Sequence, residues 1–146
     1  MGLLNRTFFS PQEEALITDA IENAEKSCSG EVRLHVEPYC KIDVLDRAAD
    51  VFGFLHMQET ELRNGILFYL AYEDHKFAVI GDSGINSLVP ADFWESVRDE
   101  MTDYFRRGEI AAGLAKGIEH AGEKLKEYFP YRDSDSNELK NDISYG

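Results

Sequence analysis

Positive charge is what this chain has least of: 15 Lys and Arg stand against 28 Asp and Glu, a formal net charge of -13 over 146 residues. The imbalance is not a property of the end of the chain. In residues 131–146, Arg132 and Lys140 against Asp133, Asp135, Glu138 and Asp142 leave only -2, so -11 belongs to the body. Such a surface repels phosphate backbones and anionic bilayers, which argues against nucleic acid and membrane partners; cations, a basic protein partner or plain solubility remain. Long apolar runs are missing too. No stretch approaches the ~20 residues of a membrane span, and MGLLNRTFF has neither a signal-peptide core nor a small-residue cleavage site. Gly2 follows Met1, but Arg6 stands where a myristoylation pattern wants Ser or Thr. A soluble, cytoplasmic monomer is the expectation. Cysteine is also scarce. Cys28 and Cys40 flank a predicted strand, whose ends at ~3.3 Å per residue lie beyond disulfide reach, so reduced structural thiols are expected.

What is present suits one domain with a real core, at 43% hydrophobic and 12% aromatic content. The stretch RNGILFYLAYEDHKFAVIGD, Arg63 to Asp82, reads as two apolar strands around a polar turn, a hairpin at the centre of the fold. Neither arm alternates, which predicts helices on both faces of the sheet. Upstream, Ser10-Pro11-Gln12-Glu13 forms a capping box for a helix that presents Leu16, Ile17, Ala20, Ile21 and Ala24. Val32, Leu34 and Val36 then alternate with Glu31, Arg33, His35 and Glu37, a strand with one drier face ended by Pro38. Asp43 can cap a second helix with Leu45, Ala48, Ala49, Phe52 and Leu55 on one face. Strand, helix and strand make a βαβ unit, so strands 31–37 and 65–72 should be parallel and strand 76–82 antiparallel to them.

Beyond a loop at Asp82-Ser83-Gly84-Ile85, Pro90 opens a helix carrying Phe93, Trp94, Val97, Met101, Tyr104 and Phe105, closed by Arg106, Arg107 and Gly108. The last helix presents Ile110, Leu114, Ile118, Ala121, Leu125 and Phe129, with Gly113, Gly117 and Gly122 between them, before Pro130. Three glycines at ~1 kcal/mol each call for a compensation, and close packing against the sheet or the preceding helix supplies it. Residues 131–146 read as a disordered acidic tail after a domain at 8–130. Asp133-Ser134-Asp135-Ser136-Asn137 imitates half a calcium loop, but Glu138 replaces the turn glycine and Ser144 the bidentate Glu.

This topology puts Gly30-Glu31, Glu61-Leu62-Arg63-Asn64 and Gly81-Asp82 at one end of the sheet, with Asp92 at a helix entry near it. Two carboxylates ~5 Å apart repel by roughly 3 kcal/mol at an effective dielectric of about 20, so a cation, a shared proton or Arg63 must offset them. Oxygen ligands suit calcium or magnesium. Each position also has a plainer role, Asp92 in a first helical turn, Asp82 in a turn and Arg63 as an ion-pair partner. His35, His56, His75 and His120 form no HExxH, and GxSxG, Walker and GxGxxG patterns are missing.

RNGILFYLAYEDHKFAVIGDSGI, with Gly30-Glu31 before it, Asp92-Phe93-Trp94 after it and the glycine-spaced helix ending Phe129-Pro130, resembles the TPM domain family over roughly residues 8 to 130. Its members include a thylakoid-lumen acid phosphatase of photosystem II repair and an animal modulator of acetylcholine receptors. The resemblance implies an α/β/α sandwich around a small mixed sheet. It also implies two functions, weak acid phosphatase or divalent-cation binding, and carries Glu31, Asn64, Asp82 and Asp92 over as site residues. Against many relatives of that family, neither an export signal nor a C-terminal membrane helix is expected from this sequence. The leading expectation is a calcium- or magnesium-binding domain with Glu31, Asp82 and Asp92 as ligands and Glu61 or Asn64 assisting. The alternatives are metal-assisted phosphomonoester hydrolysis, with Arg63 as anion clamp, and an interaction module with an acidic face.

Overall fold

The computed structural model describes residues 8–131 and 143–146. In chain order the elements are α1 (Pro11–Lys26), β1 (Glu31–Glu37), α2 (Val44–Phe54), a 3-10 turn (Met57–Glu59), β2 (Gly65–Ala71), β3 (Lys76–Gly81), α3 (Ser83–Asn86), α4 (Phe93–Arg106), α5 (Ile110–Tyr128) and β4 (Ser144–Tyr145). They form a mixed sheet of order β3-β2-β1-β4 with helices on both faces, the sandwich expected. β1 and β2 run parallel from Glu31↔Gly65 to Glu37↔Ala71, and β3 returns antiparallel from Lys76 opposite Ala71 to Gly81 opposite Ile66.

Ser10 and Glu13 make the capping box reciprocally, at 3.1 Å and 2.8 Å. Val32, Leu34, Val36, Ile66, Phe68, Leu70 and Val79 face the larger core with α1, α4 and α5. Leu67, Tyr69, Ala71 and Ala78 face the smaller one under α2 and the 3-10 turn. Every residue of β2 is buried, which is why its sequence shows no alternation. The glycines of α5 are packing devices: a Cβ at Gly113 would strike Tyr104 and Phe105, at Gly117 Met101, and at Gly122 Ala24 of α1. Cys28 and Cys40 are buried thiols outside any disulfide.

Several expectations are corrected. Leu16 is exposed, and α2 is turned so that Ala48 and Val51 are buried while Leu45 and Ala49 face out. Asp82 caps a short helix where a loop was expected, and α4 starts at Phe93, with Pro90 accepting the Phe93 N–H at 3.0 Å. The polar face of β1 is not wet: Glu31, His35 and Glu37 are buried. A disordered tail over 131–146 does not hold at its far end, where Ser144–Tyr145 adds a parallel edge strand to β1; the imitation calcium loop lies largely outside the described residues. Two residues have no periodicity to read, so this strand exists only through its tertiary partner.

Candidate functional site

Because β1 and β2 are parallel and β3 returns antiparallel along the outer edge of β2, Glu31, Asn64 and Asp82 arrive at one lip of the sheet, as the topology predicts. All three are buried. Asp82 is fully engaged there. Arg63 Nε donates to Oδ2 at 2.7 Å and Nη2 to Oδ1 at 2.8 Å, while the Ser83 N–H donates to Oδ1 at 2.7 Å. Arg63 holds a left-handed φ of 51°, fastened by its N–H to Thr60 O at 3.2 Å and by the Gly84 N–H to its own carbonyl at 2.7 Å. The guanidinium expected to clamp an anion is therefore turned onto Asp82. Asn64 Nδ2 donates to Ser29 O at 3.2 Å, tying together the segments that lead into β1 and β2.

Glu61 and Asp92 are exposed, and Asp92 caps α4 without a side-chain hydrogen bond. Among the described residues no three His, Cys, Asp or Glu side chains are grouped as a metal would need. Glu31, Asp82, Asp92 and Glu61 thus do not form one shell: Arg63 claims Asp82, and the other two acids face solvent.

Glu25 is the residue that sequence reasoning missed. On the last turns of α1, its Oε2 accepts the Val32 N–H at 2.8 Å, and its Oε1 is buried with no donor. Burial pushes this carboxyl up; the Val32 amide pulls it back, and Glu31 beside it pushes further, to about 8. At neutral pH Glu25 therefore keeps its proton, with the Glu31 carboxyl beside it. No local signal marks it, since Glu22, Glu25 and Lys26 read as an ordinary solvated helix face.

A second buried polar cluster stands at the other end of β1. Glu37 receives Arg47 Nε at 2.8 Å and Nη2 at 2.9 Å, the Tyr69 hydroxyl, and His35 Nε2 at 3.1 Å. Burial alone would raise its carboxyl, but these donors outweigh it and leave it at about 2. Burial lowers His35, whose Nδ1 lies 2.9 Å from Ser144 Oγ. The sequence marks neither role, because the charges of β1 read as its wet side.

No helix among the described residues is long and apolar enough to cross a membrane. Residues 5–124 match the TPM domain family. The structure is similar to the NMR structure of BA42 from the psychrophilic bacterium Bizionia argentinensis, with 48% identity, 95% of this chain and 96% of that one covered, and a TM-score of 0.89. Two more distant structures share the fold: an N-terminal domain from P. gingivalis (18% identity, 85% and 82% covered, TM-score 0.69) and that of the cg2496 protein from Corynebacterium glutamicum (13%, 90% and 82%, 0.66). No curated protein matches the chain. With the matched residues spanning most of the chain, and the sandwich built as the family resemblance implies, the chain belongs to the TPM domain family.

Proposed function

We propose that this TPM domain binds a hard divalent cation, calcium or magnesium, at the lip where Glu25 and Glu31 meet. The observation that carries the reading is this pair of carboxyls, Glu31 buried and Glu25 half-buried, with Glu25 Oε1 lacking a donor. Two acids in such a place need a positive centre, and a divalent ion satisfies the pair better than one shared proton. The donor chemistry fits, since carboxylates and an Asn64 amide oxygen are the ligands these ions take, with waters filling the remaining positions. Bound there, the ion would neutralise the pair and fasten the end of α1 to the start of β1. Asp82 can join only by giving up Arg63; Glu61 and Asp92 are left as outer charges that attract the ion.

Hydrolysis of phosphomonoesters is the weaker reading, because Arg63 must leave Asp82 before it can hold a phosphate. Calcium and magnesium titrations followed by amide NMR test the proposal. Signals of Glu31, Val32 and Asn64 are expected to move, with protons released into a weakly buffered solution at pH 7, and both effects to vanish in Glu31→Gln. Unmoved signals at millimolar cation would sink it.

A further inference from the structure

The rotation of α2 leaves its outer side more apolar than a solvent-facing helix needs. Four of the seven large apolar side chains exposed among the described residues fall between residues 39 and 54: Tyr39, Ile42, Leu45 and Phe54, the last at 80%. Apolar residues scattered singly over a surface are ordinary, but a concentration on one element and its entry marks a contact. We propose that the outer face of α2 is a docking site for a basic amphipathic helix of another protein.

Two rows of residues give this face its shape. Leu45, Ala49 and Gly53 stand four apart, which in an α-helix makes one ridge, and all three are exposed. Asp46, Asp50 and Phe54 form the ridge beside it and are exposed as well. The first ridge falls in size from Leu to Gly, and a Cβ at Gly53 would meet nothing within 4 Å. A second helix can therefore come close at that end, lay its own ridge between the two rows and pack on the Phe54 ring.

Charge selects the occupant. Arg47, the only cation in the sequence of α2, is spent on Glu37, and neither Asp46 nor Asp50 has an ion pair among the described residues. Like charges four apart on a helix repel, so α2 carries an internal penalty that Lys or Arg of a partner would remove. A second copy of this chain cannot supply them, since it brings the same two acids and a further net charge of -13. An anionic bilayer is repelled for the same reason. A helix with leucine or aromatic residues at three- and four-residue spacing, bordered by Lys or Arg, satisfies both ridges, and the charge of the whole chain steers it in.

The test uses the full-length 15N-labelled chain in EDTA, so that no divalent cation contributes, at about 0.15 M salt to screen non-specific attraction. The probe is a synthetic helical peptide of about 18 residues made of Leu, Ala and Lys, with leucine recurring every third and fourth position. Amide signals of residues 45–54 are expected to move and to saturate. A scrambled peptide of the same composition, equally basic but without an apolar face, should bind about tenfold more weakly or worse. The same loss is expected for the original peptide on the Phe54→Ser chain and on the chain carrying Asp46→Asn with Asp50→Asn. All three positions are exposed, and amide signals otherwise in place show that the fold is intact. Signals of 45–54 that stay fixed at roughly millimolar peptide, equal binding of the two peptides, or undiminished binding by either variant would each overturn the proposal. Movement of those signals on concentrating the chain alone, or on adding phosphatidylcholine vesicles alone, would overturn it too, by assigning the face to a second copy or to a bilayer surface.

Discussion

Glu37 carries a full charge where β1 ends under α2, and a lone carboxylate at 6% exposure could not stay ionised. The bidentate Arg47 is the largest of its compensations. Arg47 itself is 38% exposed at the side chain, so it keeps much of its hydration while Glu37 has lost nearly all. That asymmetry decides what each substitution does. Arg47→Ala strands a buried charge and is expected to cost about 2–3 kcal/mol, below the range for wholly buried pairs because solvent reaches the gap. Glu37→Gln removes the charge and leaves an exposed arginine, a loss of about 1 kcal/mol. The double variant should therefore be more stable than Arg47→Ala alone. Urea unfolding of the three variants checks the order, and additive losses would show that the pair is not coupled.

At the scale of elements, the loop of residues 60–64 is held in place by the short helix that succeeds β3. Gly84 of α3 donates its N–H to Arg63 O, and a Cβ at Gly84 would run into the Leu62 carbonyl and lie 2.5 Å from Arg63 O. Both obstacles are backbone, which cannot swing aside as a side chain does. Gly84→Ala should cost about 3 kcal/mol and shift the amide signals of Arg63 and Asn64. Gly53 of α2 is the control: nothing lies within 4 Å of its Cβ position, and Gly53→Ala should gain up to about 1 kcal/mol from helix propensity. Thermal unfolding separates the two, and equal effects would mean that crowding at Gly84 is relieved cheaply. Legibility in the sequence divides along the same line between local and tertiary causes. The caps at Ser10 and Asp43, the relative directions of β1, β2 and β3, and the three glycines of α5 were legible because each follows from local spacing and short connections. The rotation of α2 was not, since Val44 and Leu45 offer the core equally apolar choices. β4 was not either, being two residues long.

For the whole molecule, the lip was legible and its chemistry only half so. Parallel strands bring Glu31, Asn64 and Asp82 to one end by topology alone, but the partner of Glu31 comes from α1, packed across β1, which no spacing announces. That partner shapes the response to pH. Glu37, held at about 2, contributes stability above its ordinary value of 4.5 that disappears as pH falls toward 2. His35, lowered by burial, adds to the same limb below 6.5. Glu25 acts in the opposite sense: raised from 4.5 to about 8, it holds a proton in the fold that the unfolded chain has released, so stability falls as pH rises between those values. Self-repulsion from the net charge of -13 steepens that fall. The melting temperature is thus expected to peak in mildly acidic solution and to decline toward pH 8. Glu25→Gln keeps an acceptor for the Val32 N–H and offers a donor to Glu31 without titrating. It should melt higher than the parent chain at pH 8, match it near pH 5, and gain less from added calcium. Circular dichroism melts from pH 3 to 9 test this, and an alkaline limb unaltered in Glu25→Gln would show that the Glu25–Glu31 contact is not what the fold gives up as protons leave.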